Sequence, residues 1–176
     1  MKAKDLTLTA LTAALCCVIS PIAIPIGAVP VSLSLFAVCL AAAVPGSVRG
    51  VAAVAIYIAL GALGMPVFAG FAGGVGHISG ATGGFIAGYI PCALVIGLMT
   101  GTNDAPAWRY PVGMTLGALC CYLCGALWYS IVTHTTLLQA LTVSVLPFVL
   151  FDAVKIAAAS LLAIRLRAVL RKIASH

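Results

Sequence analysis

Two charged residues, Asp152 and Lys155, lie inside the last apolar stretch of the chain, LPFVLFDAVKIAAASLLAIRLR. On an α-helix, positions i and i+3 share one face, and at about 1.5 Å per residue Asp152 lies roughly 20 Å from Arg165. Charges at such a depth in a bilayer are costly and are functional candidates by default. A carboxylate and an ammonium together suit a neutral polar group such as a urea or an amide, which offers both N–H and C=O groups. The alternative is a structural ion pair within the helix.

A glycine-rich segment, FAGFAGGVGHISGATGGFIAG at residues 68–88, is the second candidate for chemistry. Glycines allow positive φ angles and a close approach of the backbone to a ligand. Thr82 is predicted to be the N-cap of the next helix, and free N–H groups at Gly83 and Gly84 are expected to bind an anion or a carbonyl. The dinucleotide-binding spacing GxGxxG fails at Ser79. The alternative is a flexible connector.

An enzymatic alternative rests on His77 or His134 acting with Asp152. The sequence contains no HExxH or GxSxG motif, and no convincing nucleophile accompanies these groups. It also contains no GxxxxGK[ST] nucleotide-binding motif, so any dependence on ATP must come from partner subunits. We therefore predict a protein that is not an enzyme and that holds no cofactor.

The seven cysteines all fall in apolar stretches of the sequence, at Cys16, Cys17, Cys39, Cys92, Cys120, Cys121 and Cys124. Disulfide frameworks belong to oxidised aqueous loops, whereas small apolar thiols suit contacts between membrane helices. Cys121 and Cys124 form a CxxC motif, but a metal or redox role needs thiolates, which hydrocarbon disfavours. We predict a packing role and no metal site.

The composition indicates one polytopic membrane domain over residues 1–176. The chain is 64% hydrophobic and 7% charged, with a mean hydropathy of +1.25, whereas a soluble domain carries about 25% charged residues. A spanning helix needs about 20 apolar residues. Breaks at proline, glycine and polar residues divide the chain into six predicted spans at about 6–26, 31–46, 48–63, 82–101, 110–132 and 147–170.

The basic residues predict the orientation of these spans. Six spans place eight of them on one side, at Lys2, Lys4, Arg49, Arg109, Arg165, Arg167, Arg171 and Lys172, while the loops near 27–30, 64–81 and 133–146 carry no lysine or arginine. The basic side is the cytoplasmic side, so both termini are predicted to be cytoplasmic in a multi-pass protein of the cell membrane. Removal of the first apolar run as a signal peptide would spoil this pattern, so we predict that it is retained.

The basic C-terminus is interpreted as an anchor at an anionic lipid leaflet. Nucleic-acid binding is not expected, because the basic residues do not interleave with aromatic ones over a folded surface. The loop at about 64–81, called the glycine-rich loop below, is predicted to be external, on the same face of the membrane as Asp152 and Lys155.

Three motifs together resemble the BioY family, the biotin-specific substrate-binding (S) components of energy-coupling factor (ECF) transporters. They are LGMPVFAGF, the glycine segment ending GATGGFIAG, and FDAVK in the last helix, in this order. The resemblance implies the ECF S-component fold, an all-α membrane protein with six transmembrane helices, in which the external loop acts as a lid over biotin. It also implies partners, namely a transmembrane coupling subunit and a pair of cytoplasmic ATPases.

The resemblance also implies roles for particular residues. Asp152 and Lys155 match the family's D-x-x-K, which is expected to contact the biotin head group, and Ser32-Leu33-Ser34 takes the place of the family's TLQ. Gly80, Thr82, Gly83 and Gly84 match the family's GPTGG stretch, which shapes the pocket. Beyond the motif itself, we expect Gly73, Gly74 and His77 to belong to the same site and the apolar part of the ligand to lie against Phe68, Phe71 and Phe85. Ala10 and Ala14 fit the AxxxA pattern associated with docking to the coupling subunit.

The predicted function is therefore capture of biotin at the outer face for transport across the membrane. Two alternatives stay open from the sequence: an S component for another small vitamin, such as thiamine or riboflavin, and the intramembrane enzyme considered above. A homo-oligomer that transports without partner subunits is a further alternative.

Overall fold

The computed structural model describes residues 3–24, 30–101 and 105–174, and most of these residues are helical. The helices are α1 Ala3–Ile19, α2 Ser34–Ala43, α3 Ser47–Ala62, α4 Val75–Ser79, α5 Gly83–Thr100, α6 Arg109–Thr133, α7 Leu137–Ser144 and α8 Leu146–Ala174, with a 3-10 turn at Ala69–Phe71 and two strands, β1 Ala23–Ile24 and β2 Val31–Ser32. Lys2 and the end of the first predicted span at 25–26 lie outside the described residues.

The predicted all-helical class is confirmed, and each of the six predicted spans corresponds to one helix: α1, α2, α3, α5, α6 and α8. Within the described residues, three of these are long and apolar enough to cross a membrane, over Gly83–Thr100, Arg109–Thr133 and Leu146–Leu170. The other three, α1, α2 and α3, are shorter apolar helices. The count of six spans and the cytoplasmic termini remain predictions.

The first predicted span is longer than the helix that forms there. Helix α1 ends at Ile19 because Pro21 follows, and a proline disfavours helical backbone in the residue before it. The chain continues as β1, which pairs antiparallel with β2 through Ala23 opposite Ser32 and Ile24 opposite Val31. The chain therefore enters α2 from a short hairpin, where the sequence analysis had placed a continuous helix and a simple loop.

Helix α7 is a further element that the sequence analysis missed. It begins with a capping box, in which the Thr136 hydroxyl accepts from the Gln139 N–H and the Gln139 side chain accepts from the Thr136 N–H. The Thr-x-x-Gln spacing is a known start signal for a helix. The signal was therefore present in the loop that was predicted at 133–146.

Helix α2 is the centre of the bundle. Nine of its ten residues are buried, and it contacts α1, α3, α5 and α8. At about 1.5 Å per residue it is only about 15 Å long. Because protein surrounds it, the non-helical backbone at its ends is tolerated at membrane depth.

All seven cysteines are free thiols, and Cys16, Cys39, Cys92 and Cys121 are buried. Between residues 3 and 174, in the parts that the structure describes, there is no cluster of potential metal ligands. The burial of these four thiols is what a packing role requires, and that role stays a prediction.

At one end of the bundle, Arg167 of α8 joins three other helices. Its guanidinium donates to the carbonyls of Val44 at 3.2 Å, Gly101 at 3.4 Å and Thr100, and to the Tyr110 hydroxyl at 3.4 Å. These groups stand at the ends of α2 and α5 and at the start of α6. Unpaired carbonyls at a helix C-terminus favour a cation. Arg167 is thus a structural clamp, in addition to the topology anchor that the sequence suggested.

A salt bridge of 2.8 Å between Asp5 and Arg49 ties the start of α1 to the start of α3. We call the end that carries Arg49, Arg109 and Arg167 the basic end of the bundle. The chain begins α1, α3 and α6 there and ends α2 and α5 there, which supports the predicted alternation of spans.

We expect Arg167→Leu to lower the free energy of unfolding by about 2–3 kcal/mol, because hydrogen bonds to a charged group are worth that much and their carbonyl acceptors would lose their partner. Thermal or denaturant unfolding of the detergent-purified protein measures the change. Arg165→Leu is the matched control, because Arg165 is exposed on the same helix turn. Equal effects of the two substitutions would contradict the clamp.

Candidate functional site

A cavity opens at the end of the bundle opposite Arg167, between the glycine-rich loop and helices α2, α3, α5, α6 and α8. The empty space between these elements, including the open mouth, is about 630 Å³. Aromatic rings form much of the wall, including Phe68, Phe85 and Phe148, and the polar groups include Asp152 and Lys155.

The Asp152–Lys155 pair is the polar centre of this cavity. Asp152 is 5% exposed; its Oδ1 accepts from Lys155 Nζ at 2.7 Å and its Oδ2 accepts from the Tyr122 hydroxyl at 2.5 Å. Lys155 Nζ also donates to the carbonyl of Ser32 at 2.7 Å. The pair is therefore both an ion pair within α8, the structural alternative, and a part of the cavity wall. It also bonds α8 to α6 and to β2.

Hydroxyl groups line the cavity floor beside this pair. Ser32 and Ser34 are hydrogen-bonded to each other at 2.9 Å, and the Ser34 hydroxyl donates to the carbonyl of Ser20 at 3.3 Å. Tyr57 and Tyr89 are buried next to them in the same wall. The two serines were expected from the resemblance, whereas Tyr57, Tyr89 and Tyr122 were not among the predicted site residues. Tyrosines in apolar helices give no local signal that they face a cavity.

The glycine-rich loop holds an aromatic stack over the cavity. Phe68 is 1% exposed, stacks on His77 with ring centroids 5.6 Å apart, and meets Tyr57 edge to face at 5.6 Å. A Cβ at Gly61 would lie 2.1 Å from the Phe68 ring. A Cβ at Gly125 would lie 2.4 Å from the Phe85 ring. The two glycines therefore make room for Phe68 and Phe85, two of the phenylalanines that line the cavity.

The start of α5 differs in part from the predicted anion site. Thr82 occupies the N-cap position but makes no side-chain cap; its hydroxyl lies 3.3 Å from His77 Nε2. The Gly83 N–H already donates to the Gly80 carbonyl at 3.1 Å, so the prediction that it is free was wrong. A Cβ at Gly84 would lie 2.2 Å from Trp128 Cβ. This turn is glycine-rich because it packs tightly against α6.

The structure brings together about half of the predicted site residues. Asp152, Lys155, Thr82, His77, Phe68 and Phe85 line the cavity, whereas Gly73, Gly74, Gly80, Gly83, Gly84 and Phe71 are not in its wall. Phe71 is 69% exposed, and Gly80 accepts a hydrogen bond from the Trp128 indole at 2.9 Å. These glycines shape the loop and its packing rather than the cavity surface.

The acid–base groups of the enzymatic alternative either bond to other side chains or lie outside the cavity wall. His134 is exposed at the end of α6, in a left-handed conformation, and it is not part of the cavity wall. His77 bonds to Thr82, while Asp152 bonds to Lys155 and Tyr122. The cavity offers an electrically balanced pair between aromatic walls, which suits the binding of an uncharged polar group more than proton transfer.

Comparisons with known proteins give matches along nearly the whole chain. The family model described as the BioY family matches residues 1–172. The chain is 41% identical over 167 residues to a probable biotin transporter BioY of Pyrococcus horikoshii, covering 95% of this chain and 98% of that protein. It is 42% identical over 147 residues to the biotin transporter BioY of Thermotoga maritima, covering 83% and 85% of the two chains.

A solved structure is similar throughout. It is the crystal structure of the S-component for biotin from an ECF-type ABC transporter, with a TM-score of 0.88 and 27% sequence identity, and the match covers 95% of this chain and 92% of that one.

A double-mutant cycle tests whether the pair is held as a buried unit. Asp152→Leu or Lys155→Met alone should lower the free energy of unfolding by about 3–5 kcal/mol, because each leaves one buried charge without its partner. The double variant should regain most of this loss, since no charge remains. Unfolding is measured in detergent without ligand. A double variant as unstable as the sum of the single ones would contradict the coupling.

Proposed function

The chain belongs to the BioY family, and we propose that it is the S component of an ECF transporter, which captures biotin in the cavity at the outer face of the membrane. It is a transport component and not an enzyme. The observation that carries the proposal is the buried Asp152–Lys155 pair in the wall of a cavity that is lined by aromatic and hydroxyl groups.

The pair has hydrogen-bonding capacity left for a cyclic urea. A carboxylate has about four lone-pair sites and an ammonium has three donors. Asp152 accepts two bonds, and Lys155 donates two, to Asp152 and to Ser32. Asp152 thus has sites for ureido N–H groups, and Lys155 has a donor for the ureido carbonyl. The fused rings of biotin would pack between Phe68 and Phe85.

The proposal includes the membrane, the topology and the partner subunits of the protein. The chain is a multi-pass membrane protein by its family and its apolar helices. We place it in the cytoplasmic membrane as one domain with six spans and with both termini inside. Biotin and the subunits of an ECF transporter are its partners, and we assign ATP hydrolysis to a pair of ATPases that joins it through a coupling subunit.

The proposed docking face lies on α1. Ala10 and Ala14 are both exposed, one turn apart, beside the exposed Leu11 and Val18. Two small residues four positions apart allow close approach of another membrane helix. Because both alanines are exposed, another helix could pack on this face, and we assign it to the coupling subunit.

Asp152→Asn should weaken biotin binding at least 100-fold, because it keeps the shape of the side chain but removes the charge that balances Lys155. Equilibrium binding of radiolabelled biotin to detergent-purified protein measures the effect, with unlabelled biotin, thiamine and riboflavin as competitors. Asp5→Asn is the control: it breaks the Asp5–Arg49 salt bridge at the basic end and should leave the affinity unchanged. Unchanged affinity in Asp152→Asn, or displacement by the other vitamins, would contradict the assignment.

Ala14→Leu should prevent copurification with a coupling subunit and its ATPases while leaving biotin binding intact, because a larger side chain keeps the two helices apart. Leu11→Ala, one turn away on the same exposed surface, is the control. Pull-down from membranes that contain all subunits measures the association. Normal assembly of the Ala14→Leu protein would argue against this docking face.

A further inference from the structure

The one lysine in the described cavity wall is already paired with a carboxylate, so its charge is balanced before a ligand binds. Among the described residues in the cavity wall, Lys155 is the only lysine or arginine, and its Nζ is already bonded to Asp152 and to the Ser32 carbonyl, each at 2.7 Å. The pair is therefore electrically neutral. Biotin, in contrast, carries a carboxylate at the end of its tail, and that charge needs either a cationic partner or water.

The described segments next to the cavity do not supply a cation either. The sequence contains no lysine or arginine at 64–81 or 133–146. His77 is the titratable side chain at the rim, where it stacks on Phe68. Burial lowers the pKa of His77 below its usual 6.5, so its imidazole is neutral at pH 7.

The reverse pose, with the carboxylate of biotin at Lys155, is disfavoured by Asp152. The Asp152 carboxylate lies 2.7 Å from the same ammonium and is buried, so a second carboxylate there would face a like charge at close range. Like charges that share a site oppose each other's ionised form. The start of α5 offers few N–H donors to a carboxylate, because the N–H groups of Gly83 and Phe85 already donate to the carbonyls of Gly80 and Thr82.

We infer that the site recognises the uncharged ring system of biotin and leaves the tail carboxylate in water at the half-buried rim, beside His77 and Thr82. The inference rests on the proposed binding of biotin and adds its ligand class: cyclic ureas with an apolar tail, whether the tail ends in an acid, an ester or an amide. The tail contributes through its methylene groups, which pack on the aromatic wall.

Competition with analogues tests this directly. Radiolabelled biotin bound to the detergent-purified chain at pH 7.5 is displaced by unlabelled biotin, biotin methyl ester or biotinamide. The ester and the amide remove the charge and keep the rings and the tail. Their inhibition constants should lie within tenfold of that of biotin. Biotin methylated on one ureido nitrogen is the matched control; it keeps the carboxylate, loses a ring N–H donor, and should compete at least 100-fold less well.

The outcomes separate the inference from the proposed function. Tight binding of biotin with a loss of tenfold or more for both the ester and the amide would overturn the inference and leave the proposed function standing. Strong competition by the ring-methylated analogue would also overturn it, because the ring would not be what the site reads. If biotin itself does not bind, the proposed function fails and the inference fails with it.

Discussion

The buried ion pair between Asp152 and Lys155 is the constraint on which the rest of the structure depends. Two charges in an apolar bundle are stable only if each is paired and hydrogen-bonded. Here that requirement is met by groups from two other elements, the Tyr122 hydroxyl on α6 and the Ser32 carbonyl on β2. The same bonds therefore fix the positions of three elements around the cavity. The position of the binding groups and the local packing of the bundle have one physical cause.

Helix α8 carries a polar cluster toward each end. One cluster faces the cavity, and the other joins the ends of neighbouring helices. Near its start, Asp152 and Lys155 face the cavity. About four turns later, Arg167 bonds to the ends of α2 and α5 and to the start of α6. The basic end is closed by these contacts, and the opposite end is left open to a ligand. A bundle that is tied at one end can hold an open cavity at the other without losing its helix packing.

The sequence was informative where the signal is local. Apolar runs between prolines and glycines predicted α1, α2, α3, α5, α6 and α8. The i, i+3 spacing predicted the Asp152–Lys155 pair. The glycines could not be interpreted fully, because their roles depend on distant partners. Gly61 and Gly125 make room for Phe68 and Phe85. The N–H of Gly83 donates to the carbonyl of Gly80. No spacing rule links Tyr122 to Asp152, which are 30 positions apart.

The burial of α2 has a consequence for the biogenesis of the protein. Helix α2 is about half as long as the hydrocarbon layer is thick, and nine of its ten residues are covered by neighbouring elements. Such a segment cannot reside stably in lipid by itself during synthesis, since the polar backbone at its ends would be uncovered. Its insertion must therefore be coupled to assembly with later helices, among them α5 and α8, which are translated after it. The centre of the bundle is completed late in synthesis, although its sequence emerges early.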